Sequence, residues 1–179
     1  MTQLLRRPAA ILAAGSLSLS ACLAVVTLAQ GDPPKKPVAT EQKAPSTHHV
    51  IVNASQLKWG PAPPALPAGA QAAIVDGDPS KPGPFAIRIK VPDGYTVPPH
   101  WHPTDENLVI LSGTLSMGVG DKFDEASMHA LTAGGYTKMP AKTRHYVRAK
   151  GETTFQVYGT GPFAITYVDP KDDPRKKTS

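Results

Sequence analysis

The stretch "GYTVPPHWHPTDENLVILSG", Gly94 to Gly113, sets two histidines one residue apart and a glutamate four residues after the second. Pro98, Pro99 and Pro103 favour extended backbone and prevent helix, because the ring fixes φ and restricts the residue before it. Side chains of an extended chain alternate between faces, so His100 and His102 share one side. Glu106, Leu108 and Ile110 keep the same parity. One face therefore carries two imidazoles, a carboxylate and then hydrocarbon. On an exposed loop that order has no purpose, whereas inside a barrel it gives a polar site above an apolar floor.

Burying those three groups without partners would cost several kcal/mol. A divalent cation offsets the cost, since neutral imidazole nitrogens and a carboxylate are good ligands for first-row metals. A fourth ligand is needed, and His145 in "PAKTRHYVR" is the strongest candidate. It follows a proline-containing turn and begins a later strand, much as His100 does. His129 reads as an exposed loop histidine, and His48 and His49 as part of a polar entry segment. Trp101, of opposite parity to its neighbours, is expected to pack in the core.

Working outward, the chain reads as short strands. "HHVIV", "QAAIVDG", "FAIRIKV", "ENLVILSG", "TLSMGVG", "GYTKMP", "HYVRA", "TTFQVYG" and "FAITYVD" are rich in β-branched and aromatic residues and are mostly separated by Gly, Pro or Asp. Ser112-Gly113 reads as a two-residue hairpin turn between "NLVIL" and "TLSM". "DKFDEASMHA" offers one brief helical turn. "GPFAI" occurs at Gly83 and again at Gly161, which suggests a shared turn-into-strand solution. So many short strands predict an all-β sandwich or barrel that closes on itself to suppress exposed edges.

The N-terminus reads as an export signal: Arg6 and Arg7 precede an uncharged apolar stretch from Ala9 to Leu28. "TLAQ" offers cleavage after Ala29, while "LSAC" offers lipid modification of Cys22, and an uncleaved anchor is a third outcome. The expected organisation is a signal peptide or anchor over 1–29, a flexible Pro/Lys-rich linker over 30–46, one β-barrel domain over 47–170 and a polar tail over 171–179. Removing residues 1–29 leaves 17 basic against 14 acidic residues, a net charge of +3. Much of that excess lies in "PKKP" and "PRKK", which speaks for solubility and gives no reason to propose nucleic-acid binding. Without Cys22, the one cysteine, thiol chemistry is excluded.

The spacing resembles the cupin superfamily. Gly94, five residues, His100, one residue, His102, three residues, Glu106, six residues, Gly113 matches the first cupin motif position for position. Twenty residues intervene before Gly134; after five more, Pro140 begins what looks like the second motif, with His145 where its histidine belongs. Lys142 stands where that motif usually has glycine, which suggests a differently shaped turn, and Ala149 where it has asparagine. The resemblance implies a single-domain cupin, a jelly-roll barrel or double-stranded β-helix. His100, His102, Glu106 and His145 would hold one divalent ion, Mn or Fe by resemblance, with Zn, Ni or Cu also accommodated. It also implies a homodimer.

A divalent ion, three neutral histidines and one glutamate leave the site near +1, which favours a small anionic organic molecule. The expectation is an exported, periplasmic or secreted metal-dependent oxidoreductase (dioxygenase-like) or related enzyme, isomerases included, with no membrane contact by the barrel. Glu106 is the candidate general base. The alternatives are a non-catalytic periplasmic cupin that binds or senses a small ligand or metal, and a storage cupin with a degenerate site. Tyr146, Arg144, Lys138, Gln156 and Tyr158 are candidates to reach into the cavity.

Overall fold

The computed structural model describes residues 49–176. The expected signal or anchor, the linker and Cys22 lie outside them, as do the last three residues. Among the described residues nine strands form one sheet: β1 (Gly60–Pro61), β2 (Gln71–Asp76), β3 (Gly83–Val91), β4 (Thr96–Trp101), β5 (Glu106–Val119), β6 (His129–Thr132), β7 (Tyr136–Met139), β8 (His145–Gly161) and β9 (Thr166–Tyr167). Their order is β1-β2-β3-β8-β4-β9; β5 joins through β8, and β6 and β7 pair with β5. All pairings are antiparallel. The fold is the all-β barrel that the strand pattern predicts.

Period-two alternation builds its interior. On β3, Phe85, Ile87, Ile89 and Val91 are buried between less buried Ala86, Arg88 and Lys90. Leu108, Ile110, Leu115 and Met117 from β5 and Val147, Ala149, Phe155 and Val157 from β8 complete the same core.

The long strands correct the expectation at Ser112-Gly113. No hairpin forms there; β5 runs unbroken from Glu106 to Val119 and pairs with β8 throughout, from Glu106↔Gly159 to Val119↔His145. The register shifts at Ser112, and Gly113 adopts φ 77. A Cβ on Gly113 would collide with the Glu152 carbonyl and Thr153. "HYVRA" and "TTFQVYG" likewise belong to one strand, β8, which passes through Gly151 at φ 73. Both glycines mark a bend shared by two strands, the use of bulges and glycines that lets a sheet turn a corner.

The two "GPFAI" copies also differ from expectation. Gly83 enters β3 while Gly161 ends β8, and the two are register partners. Residues 162–165 leave the strand as an irregular segment, so "FAITYVD" contributes only Thr166–Tyr167 as β9. The brief turn expected near "DKFDEASMHA" is a 3-10 turn, Glu125–Ser127, capped by the Asp124 carboxylate accepting from Ala126 N–H at 3.0 Å. The chain from 171 to 176, read as polar tail, forms parts of two 3-10 turns flanking a buried Asp173. The Arg175 guanidinium grips that carboxylate with two 2.8 Å hydrogen bonds.

Candidate metal centre

Each of the four candidate ligands sits at or just beyond a strand end. His100 is next to last in β4, His102 follows its end, Glu106 starts β5 and His145 starts β8. His100 and His145 are directly opposed in the β4–β8 ladder. Glu106 and His145 occupy opposite ends of the β5–β8 ladder, which if straight would hold them roughly 40 Å apart. In the barrel Glu106 Oε2 is 3.2 Å from His145 Nε2 and 3.7 Å from His102 Nε2. Curling of that one ladder brings the sequence-distant groups together.

The imidazoles are aimed. His100 Nδ1 lies 2.7 Å from the Pro98 carbonyl, His102 Nδ1 2.9 Å from that of Ala164, and His145 Nδ1 2.9 Å from that of Thr143. A carbonyl only accepts, so each Nδ1 carries a proton, and a ring in its neutral form presents its Nε2 lone pair inward. Ligand atoms of the three rings lie within 4.8 Å of one another. All four side chains are buried, His145 at 1% exposure. Among the described residues, His102 Nε2 and Glu106 Oε2 are two of three buried side-chain polar atoms without a hydrogen-bond partner. Converging lone pairs facing an orphaned carboxylate oxygen fit a divalent cation, which needs electron-pair donors and supplies the missing partner.

Electrostatics point the same way. Burial, then the neighbouring His145 and His102, lower His100 to about 3, so it is neutral at physiological pH. Burial chiefly lowers His102 as well, against the pull of Glu106. Burial alone would raise Glu106, but the close His145 and the other two imidazoles outweigh it and hold the carboxyl at about 2. His145 is opposed by burial yet raised by that same carboxylate. Glu106 is thus an anion in the barrel interior.

The structure also places the remaining candidates. His129 is exposed at the start of β6, and His49 is exposed. Trp101 is half-buried and contributes nothing to the core, contrary to expectation. Tyr146, Arg144, Lys138, Gln156 and Tyr158 do not line the cavity beside the site. Tyr146 is buried against Phe123 and donates to the Asp124 carbonyl at 3.1 Å, while Lys138 pairs with Asp105 at 2.8 Å. Lys142 overturns the expected change of turn: at φ 64 it adopts the left-handed conformation a glycine would take. Its N–H donates to the His102 carbonyl at 2.8 Å, tying the turn before His145 to the end of β4.

Sequence reading missed the second "GPFAI" as part of the site. Phe163 stacks on the His102 ring at 4.2 Å between centroids and 15° between planes, and the next residue supplies the carbonyl that orients it. An aromatic residue after Gly-Pro was visible; its direction was not, because the segment has no period.

Beyond the four groups lies a cavity of about 300 Å³. Its walls include Leu108, Leu115, Met117, Val147, Phe155 and Val157, with Phe163 and Ile165 from the irregular segment and Ala65 and Leu66 from the chain before β2. Two phenols hold that last segment in place: Tyr95 donates to the Pro67 carbonyl at 2.7 Å and Tyr167 to that of Ala65 at 2.8 Å.

Residues 87–160 match the family model of the Cupin domain. Among solved structures, the chain is similar to a polyketide cyclase from Streptomyces resistomycificus, with 14% identity, a TM-score of 0.56 and coverage of 71% of this chain and 90% of that one. A protein from Methylibium petroleiphilum assigned as an acetylacetone dioxygenase gives 23% identity, a TM-score of 0.55 and coverage of 71% and 85%. A sugar phosphate isomerase from Silicibacter pomeroyi gives 15% identity, a TM-score of 0.50 and coverage of 65% and 92%. No curated protein matches the sequence.

Proposed function

We propose that the chain, whose residues 87–160 match the Cupin domain model, belongs to the cupin superfamily and is a metal-dependent enzyme of the oxidoreductase, dioxygenase-like kind acting on a small anionic organic molecule. One observation carries the reading: ligand atoms of three imidazoles lie within 4.8 Å of one another, and a buried carboxylate oxygen beside two of the rings has no hydrogen-bond partner. His100, His102, His145 and Glu106 would hold one divalent ion. When bound, Mn or Fe supplies Lewis acidity and one-electron chemistry, and Zn, Ni or Cu fit the same donors.

The chain's own residues do the rest. Backbone carbonyls fix each ring's tautomer and direction, so little reorganisation accompanies binding. The aliphatic walls exclude water and strengthen electrostatic attraction between the near +1 site and an anion. Glu106 is the carboxylate positioned to take a proton from a bound acid. Fold likeness extends to proteins described as a cyclase, a dioxygenase and an isomerase, so it does not choose the reaction; the donor set and apolar cavity support the oxidative one. We further propose that residues 1–29 direct export, on the strength of their basic start and apolar run.

Elemental analysis of protein purified from its native compartment, followed by oxygen uptake on a panel of enols and small acids, tests this. Near-stoichiometric metal with substrate-dependent oxygen consumption is the expected result. Absence of metal sinks the assignment, and stoichiometric metal with no turnover would favour a ligand-binding role.

A further inference from the structure

We infer that the substrate has an oxygen-bearing anionic head and a hydrocarbon body, rather than being a sugar or a dicarboxylic acid. This rests on the metal-site reading above and specifies what that site accepts. The distribution of polar atoms around the cavity carries the argument. Among the described residues that line it, those with polar side chains are the four clustered groups, Ser80 and Arg175.

Ser80 and Arg175 are both exposed and both occupied. The Ser80 hydroxyl donates to Asp78 at 2.7 Å. The Arg175 Nε and Nη2 are committed to Asp173, whose carboxylate cancels the guanidinium charge, and Nη2 also donates to the Ile165 carbonyl at 3.1 Å. The Ser80 hydroxyl proton and the Arg175 Nε and Nη2 are thus engaged, and the charge of the one cation on the lining outside the cluster is already matched by Asp173. The Ala164 carbonyl is likewise engaged by His102. What remains facing the interior is hydrocarbon: Leu108, Leu115, Met117, Val147, Phe155 and Val157, each at most 7% exposed.

Such a surface discriminates by what it cannot pair. A hydroxyl carried into it loses its water and gains no partner, which lowers affinity about tenfold or more per group. A second carboxylate suffers more, since the cation of the site is already matched to the first. An alkyl or aryl body of matching shape gains from leaving water. Size sets the other bound. About 300 Å³ is the small end of ligand pockets and corresponds to on the order of ten non-hydrogen atoms.

The experiment uses the full chain loaded with Co(II), and two probes sharing one chelating skeleton. Heptane-3,5-dione carries ethyl arms where malonate carries charged oxygens, and galacturonate serves as the polyhydroxylated acid. Metal content is measured first by elemental analysis, then affinity by calorimetry and by the visible spectrum of the cobalt. The dione is expected to bind at least about tenfold more tightly than either acid. Val147→Thr, which puts a hydroxyl on the wall at nearly constant volume, should weaken the dione severalfold while leaving the metal content unchanged. If malonate or galacturonate binds as well as the dione, or none binds to cobalt-loaded protein, this inference is overturned and the metal reading stands. Failure to take up cobalt overturns both, and the elemental analysis distinguishes the cases.

Discussion

The ends and the middles of the same strands behave as two different materials. At their ends β4, β5 and β8 contribute His100, Glu106 and His145; further along, β5 and β8 contribute Leu108, Leu115, Met117, Val147 and Val157. Both sets follow the inward alternation, which in β5 passes from even to odd positions at the Ser112–Gly113 irregularity, and both are buried. They differ in what satisfies them. The middles are satisfied by one another through close packing. The ends are satisfied on one side by carbonyls of Pro98, Thr143 and Ala164, while on the other His102 Nε2 and Glu106 Oε2 have no hydrogen-bond partner. A barrel interior can therefore hold a stable core and a reactive centre without a change of backbone plan.

The sharpest way to break that contrast is to remove an end. Glu106→Ala or His100→Ala should leave a folded barrel whose metal affinity falls more than about a hundredfold, since even outer partners of ligands cost about 10–100-fold. Elemental analysis after dialysis reads it out, and undiminished metal in both variants would mean the ion is held elsewhere. Leu115→Ala, in the middle, should do the reverse. Leu115 is 1% exposed, so its truncation is expected to cost about 2–5 kcal/mol of stability by denaturant titration, with metal stoichiometry retained. A metal-depleted but equally stable Leu115→Ala protein would erase the distinction between the two regions.

Phe163 sits on the boundary. Its ring touches His102, yet it comes from a segment with no regular structure. Phe163→Ala keeps the carbonyl of residue 164 and removes only the stacking that restrains the imidazole. Metal affinity should fall about tenfold, with a shifted cobalt spectrum and little change in stability. An unchanged spectrum would make Phe163 a wall of the cavity and nothing more.

This boundary also marks how far the sequence could be read. His100, His102 and Glu106 were legible because proline-enforced extension and period two put them on one face, and His145 because the spacing of the second motif resembles a known pattern. Parity likewise foretold Leu108 and Ile110. Ser112-Gly113 misled because a glycine with positive φ serves a hairpin and a bulged corner equally well; only β8, forty residues away, decides which. Lys142 misled because a residue type was taken to fix a conformation, whereas the hydrogen bond to the His102 carbonyl, with the strands on either side, holds lysine in the left-handed region. Phe163 and Arg175 lie outside any regular period, so their roles come from tertiary contact alone.

The smallest expected effect concerns the cover of the cavity rather than its ends or walls. Tyr95 and Tyr167 pin the chain between Ala65 and Pro67 through phenol-to-carbonyl hydrogen bonds. Burial pushes both phenols up, aided for Tyr95 by Tyr167 and for Tyr167 by Asp173, with Arg175 opposing; Tyr167 reaches about 12 from an ordinary 10.0. A raised folded value means the protonated form is favoured in the native state. The stability this contributes is complete below pH 10.0 and is lost as pH rises through about 12. Tyr95→Phe removes one hydrogen bond while keeping the ring, at a cost of about 1 kcal/mol near neutrality. The double variant Tyr95→Phe, Tyr167→Phe should show a flatter decline of denaturation midpoint over that alkaline range than the parent. An equally steep decline in both proteins would place the alkaline sensitivity elsewhere and leave the phenols as packing groups only.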